Sequence, residues 1–117
     1  MRRGNRLIIA TLLATAGCVA SPAPETGVAD CDAHGFDTTW LTVGRPFFRT
    51  YCTSCHAADA DERFGAPEDV NFDTQEDVRN YEERIAIRVL DEGTMPLGGG
   101  IPEEDLELLE IYLECGL

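Results

Sequence analysis

The chain has 117 residues, of which 22 are acidic and nine basic, for a formal net charge of −13. That length allows one small domain, and the acidity opposes binding to nucleic acid or to an anionic membrane surface. Five cysteines have to be accounted for, and their placement divides the chain.

Arg2, Arg3 and Arg6 precede an apolar run from Leu7 to Ala16, and small residues then lead into Cys18. A basic n-region, a short apolar h-region and a small-residue cleavage site have the form of a secretory signal. A retained membrane anchor is the other reading, but the run is short for a lasting span. The string Thr15-Ala16-Gly17-Cys18 resembles the bacterial lipoprotein signal, in which the cysteine is lipidated and becomes the mature N-terminus. Threonine stands where leucine is usual, so ordinary cleavage nearby stays open. The resemblance makes residues 1–17 a signal peptide. It implies an exported, periplasm-facing protein that meets the membrane only through a lipid anchor on Cys18. Three of the nine basic residues lie in this leader and every acid lies beyond Pro24, so the exported part carries six basic against 22 acidic residues, or −16. Such a field speeds encounter with a basic partner in a salt-dependent way, or it simply keeps the domain soluble.

Val19 to Asp30 is small, proline-containing and without periodicity, which reads as a linker. Cys31 to Leu41 shows no clear pattern and is expected to be irregular, so residues 18–41 form the anchor cysteine, linker and lead-in to a domain over 42–117. From Thr42 the pattern turns helical. Thr42 is a candidate N-cap and Pro46 is tolerated in a first turn, while Val43, Phe47, Tyr51 and Cys55 recur at helical spacing.

This helix leads to Cys52-Thr53-Ser54-Cys55-His56. C-x-x-C-H reads as a c-type haem attachment site. Two thiols three positions apart lie on adjacent edges of one helical turn, where they can form thioethers to the two vinyl groups of one porphyrin. The next residue, a histidine, is then placed to ligate the iron. A thioredoxin-like dithiol would want a βαβ setting, and a zinc site about four ligands. Neither is apparent.

Ala57 to Asp73 is polar, with Gly65 and Pro67, and reads as a loop. Thr74 to Asp77 has the form of a capping box. Val78, Tyr81, Ile85 and Val89 then follow on one helical face, and Gly93 suits the position just past its end. After the glycine-rich stretch from Gly93 to Gly100, Pro102 opens a last helix whose Glu103, Glu104 and Asp105 favour the positive end of the dipole. Leu106, Leu109 and Leu113, flanked by Tyr112, form its apolar stripe, and Gly116 ends it. Three helices without a convincing strand make an all-α domain. So small a domain buries a marginal core.

The C-x-x-C-H string together with Gly93-Thr94-Met95-Pro96 resembles the small single-haem cytochromes c of the His/Met type. The resemblance covers Thr42 to Leu117. It implies three main helices wrapped around one covalent haem c, with Cys52 and Cys55 as its attachment points. His56 and Met95 would be the two iron ligands, and Pro67 would offer its carbonyl to the imidazole of His56. Gly44 matches the small residue that lets the first helix cross closely against the last, opposite Tyr112, although it could be an ordinary loop glycine. Tyr81 is either packing or a hydroxyl within reach of a haem propionate, and Pro67 is either the carbonyl acceptor of the His56 N–H or a turn proline. His34 is the only other histidine and an alternative second ligand. With Cys18 assigned to lipid and Cys52 and Cys55 to haem, Cys31 and Cys115 remain as one disulfide or two free thiols. The function implied is one-electron transfer between redox protein partners and not enzymatic catalysis. A haem-based sensor or peroxidase-like module with a labile Met95 is the alternative.

Overall fold

The computed structural model describes residues 31–33 and 35–117. The signal, Cys18, the linker and His34 lie outside the described residues. Among those described there are three helical stretches and no strand, so the domain is all-α.

Helix α1 opens as a π-helical turn over Trp40–Gly44 and continues as α-helix over Arg45–Tyr51. Its N-cap is Thr39 and not Thr42. The two threonines form a capping box, with the Thr39 N–H donating to Thr42 Oγ1 at 2.9 Å and the Thr42 N–H to Thr39 Oγ1 at 3.3 Å. Thr42 Oγ1 also bonds the carbonyl of Asp37. The earlier start puts Pro46 more than a turn into the helical stretch, where its ring would crowd the carbonyl four residues back. The wide turn removes the conflict, because Val43 and Gly44 both donate to Thr39 O, at 2.9 and 3.2 Å. The α-helical segment then restarts at Arg45, with proline at its first turn.

Helix α2 runs through Gln75–Asn80, Glu82–Ile85 and a π-helical end, Ala86–Asp91. Thr74 and Asp77 make the expected capping box. The interruption falls at Tyr81, whose φ of −121° leaves the helical range. Its hydroxyl donates to Asp69 O at 3.1 Å, and its ring meets the edge of Phe72 at 6.1 Å. Tertiary contacts thus outweigh local helix continuity at a residue of modest propensity. Helix α3 spans Glu103–Cys115. Pro102 is its N-cap, one position before the first helical residue, and the Pro102 carbonyl accepts the Leu106 N–H at 3.1 Å. Among the described residues, no helix is long and apolar enough to cross a membrane.

The three helices meet at Phe48, Val78, Leu109 and Tyr112, all at 0% exposure. Phe48 is the hub, with ring centroids of Trp40, Phe47, Phe72 and Tyr112 at 6.2, 5.5, 5.6 and 6.4 Å. Such stacked, edge and tilted aromatic contacts add to simple area burial. Where α1 passes α3, a Cβ on Gly44 would lie 2.5 Å from Tyr112 Cζ and 2.7 Å from Trp40 Cε3. The close approach expected at Gly44 and Tyr112 is therefore present, and it requires glycine. Near the cavity described below, Tyr51 donates to the Asp105 carboxylate, tying α1 to the first turn of α3. At the far end of α3, Cys115 lies at disulfide distance from Cys31, with 5.6 Å between their Cα atoms.

Candidate functional site

Cys52 ends α1 as its C-cap. The C-x-x-C-H string is not a continuation of that helix, as the spacing alone suggested, but a separate turn. The N–H groups of Cys55 and His56 both donate to Cys52 O, at 3.1 and 2.9 Å. The string is anchored from behind by the Thr53 N–H, which donates to Phe48 O at 2.9 Å. The core hub and the thiol-bearing turn are thus joined through one residue.

His56 is held from three directions. Besides its N–H bond to Cys52 O, its carbonyl accepts the Phe72 N–H at 2.8 Å. Its ring lies 5.0 Å from that of Phe72, tilted by 38°. Nδ1 is 2.9 Å from Val70 O. A carbonyl only accepts, so Nδ1 carries the proton and Nε2 keeps a free lone pair. This is the tautomer a metal-ligating histidine needs, fixed by an outer hydrogen bond.

The partner is Val70 and not Pro67. The Pro67 carbonyl is already engaged, receiving the Val70 N–H at 3.1 Å and Arg63 Nη2 at 2.6 Å. That turn swings the next available carbonyl, three residues later, to the imidazole. Arg63 organises the whole loop: it also donates to Ala57 O, to Ala66 O at 3.3 Å and to Val70 O at 3.1 Å.

Met95 is placed by the end of α2. Gly93, with φ of +60°, takes the left-handed position that only glycine adopts without cost. The chain then turns back, and Arg88 O accepts the N–H groups of Thr94 and Met95 at 2.9 and 3.1 Å. The reach of six residues from Thr94 to Arg88 is one longer than in the usual glycine cap, as the π-helical end requires.

Cys52, Cys55, His56 and Met95 all line one cavity of about 500 Å³, within the range of small-molecule and cofactor sites. Its walls include Phe48, Val70, Ile85 and Val89 from the core side. Tyr81 is also in its lining, with its hydroxyl committed to Asp69 O. Three of the six arginines that follow the leader, Arg63, Arg84 and Arg88, line it as well. Arg88 is paired with Glu92 at 2.9 Å, whereas the Arg84 guanidinium makes no hydrogen bond or ion pair with any described residue. Exposed Phe64 and Leu97 complete the lining. A second cleft of about 350 Å³, bordered by Trp40, Arg45 and Arg49, contains no cysteine, histidine or methionine.

As a thiol, Cys52 suits nucleophilic chemistry poorly. Burial, with a smaller contribution from the charge of Cys55, pushes the Cys52 thiol up to about 12. Its position at the C-terminal end of α1 places it at the negative end of the helix dipole, whereas reactive thiolates sit at positive ends or beside cations. Among the described residues, no group of three or more His, Cys, Asp and Glu side chains could hold a metal ion.

Val70, Phe72 and Arg63 are the site residues that sequence reasoning missed. The only local signal was the apolar pair Val70 and Phe72 flanking Asn71 in an otherwise polar loop. No family model matches the chain, and no curated protein or solved structure matches it either.

Proposed function

We propose that this chain is an exported cytochrome c that carries one electron at a time between redox partners. One haem c would be attached through thioethers to Cys52 and Cys55, with His56 and Met95 as iron ligands. The observation that carries this reading is the shared cavity. Both thiols of a C-x-x-C-H string, a histidine with Nε2 left free, and the sole methionine beyond the leader line the same apolar space.

The residues present fit the group. The lining is mostly apolar, which suits a porphyrin face, and the guanidinium of Arg84, without a partner among the described residues, suits a haem carboxylate. The protonated thiol of Cys52 is stored, not reactive, in the haem-free chain. Bound there, the haem iron would supply a one-electron couple, biased toward the reduced state by having a thioether among its ligands. The chain's own part is to orient His56 through Val70, to present Met95 from the closed end of α2, and to exclude water with Phe48, Ile85 and Val89. Phe64 and Leu97 leave an apolar rim at the mouth. The acidic surface would favour a basic redox partner at low salt. Export and lipid attachment at Cys18 rest on the leader sequence.

A redox titration of the purified haem-bearing protein tests the function. A carrier gives one reversible one-electron curve, and its reduced form does not bind carbon monoxide tightly at neutral pH. Tight carbon monoxide binding would instead make Met95 labile and the chain a haem-based sensor or peroxidase-like module.

A further inference from the structure

The Val70 carbonyl has two donors. His56 Nδ1 donates to it at 2.9 Å and Arg63 Nη2 at 3.1 Å. The same guanidinium also bonds the carbonyls of Ala57, Ala66 and Pro67, so the loop holds it in place and it does not sample the surface freely. An acceptor shared with a fixed cation has less electron density left for its second donor. The two bonds therefore compete for one acceptor, and the imidazole bond is weaker than an unshared carbonyl would make it.

Resting on the haem reading above, we infer that Arg63 is a positioning residue that tunes the iron through the Val70 carbonyl. A hydrogen bond from Nδ1–H makes a ligating imidazole more basic. By claiming part of the acceptor, Arg63 holds that bond weaker than an unshared carbonyl would allow and His56 a poorer donor, which favours the reduced iron. The direct effect of its positive charge has the same sign. The alternative is that Arg63 only fastens the loop. In that case its loss would lower stability and leave the electronic character of His56 as it was.

The experiment uses the full haem-bearing protein and reads two quantities. In Arg63→Gln the ratio of oxidised to reduced protein at a fixed electrode potential rises on the order of tenfold, a fall of about 59 mV for a one-electron couple. In the reduced protein the His56 Nδ1–H proton resonance moves downfield as its hydrogen bond strengthens. Arg63→Lys keeps the charge but loses the planar fork, and shifts the resonance in the same direction. Arg88→Gln, which removes a charge from the same cavity without touching Val70, leaves the resonance in place. A fall in potential with an unmoved resonance would reduce Arg63 to a distant charge and overturn the inference. An unchanged potential would overturn it as well. Should Arg63→Gln fail to load haem, the unaltered protein still decides. A nuclear Overhauser contact between an Arg63 Nη–H and the His56 Nδ1–H is expected from their common acceptor, and its absence refutes the shared carbonyl. A chain that takes up no covalent haem would sink the underlying reading. A chain that takes it up but shows none of these shifts would sink only this inference.

Discussion

Gly44→Ala isolates the contact that brings α1 and α3 together. Gly44 has a φ of −57°, so alanine is conformationally acceptable there, and by intrinsic propensity alone it would stabilise the helix by about 1 kcal/mol. The contact opposes this. The new methyl carbon would meet Tyr112 Cζ at 2.5 Å, Trp40 Cε3 at 2.7 Å and Tyr112 Oη at 2.8 Å, all far inside ordinary carbon contact distance. Two of these partners belong to a Tyr112 ring at 0% exposure, which has no room to retreat. Overpacking of this kind costs about 1–3 kcal/mol, occasionally more, and the rigid rings put it near the top of that range. The net expectation is a loss of about 2 kcal/mol, which lowers the melting temperature of a domain this size by roughly 8–16 °C. Circular dichroism melts of wild type and variant, purified and loaded identically, measure it. A variant as stable as wild type or more so would mean that the helices do not cross at Gly44.

Tyr112 Oη is buried and has no hydrogen-bond partner among the described residues, so Tyr112→Phe removes an unsatisfied group; chemical denaturation should find it as stable as wild type or up to about 1 kcal/mol more stable. Replacing Cys31 and Cys115 together by serine opens a link between residues 84 positions apart, and loop entropy sets the loss at up to about 4–5 kcal/mol, readable as a lower denaturation midpoint with the spectrum retained. In the haem-free chain, Cys52 holds its proton to about 12 where an ordinary thiol releases it near 9.0. Folding therefore binds the extra proton, and stability falls as pH rises through that interval. At pH 8, mass-spectrometric alkylation of Cys52 in the folded haem-free chain should run at least roughly a hundredfold slower than in the denatured one; equal rates would contradict its burial.

The helices were legible wherever a local rule and the tertiary structure agreed. Thr74 and Asp77 cap α2 as their spacing suggests, and Gly93 closes it, because both devices depend only on neighbouring backbone. The start of α1 was misplaced because Thr39 and Thr42 are both competent caps, and the choice rests on Asp37 and on the wide turn that accommodates Pro46. Val43, Phe47 and Tyr51 mark the correct face of α1, yet the hub is Phe48, which the simple spacing of four passes over. Its burial comes from Trp40, Phe72 and Tyr112 converging from three parts of the chain, a fact no single helical pattern carries. The thiol-bearing string was visible because its chemistry is local. The carbonyl that orients His56 was not. It depends on a loop folded around Arg63, and nothing in the order of residues distinguishes the carbonyl of Val70 from that of Pro67.

The most direct test of the account is a visible absorption spectrum, oxidised and reduced, paired with the intact mass after expression in a host that matures c-type haem. A His56/Met95 cytochrome c shows a mass increased by one covalent haem and a far-red methionine-to-iron charge-transfer band, with the band lost in Met95→Ala. Covalent haem without that band would move the second ligand to His34 or leave an open site. A chain of unmodified mass with two titratable thiols at Cys52 and Cys55 would contradict the account outright.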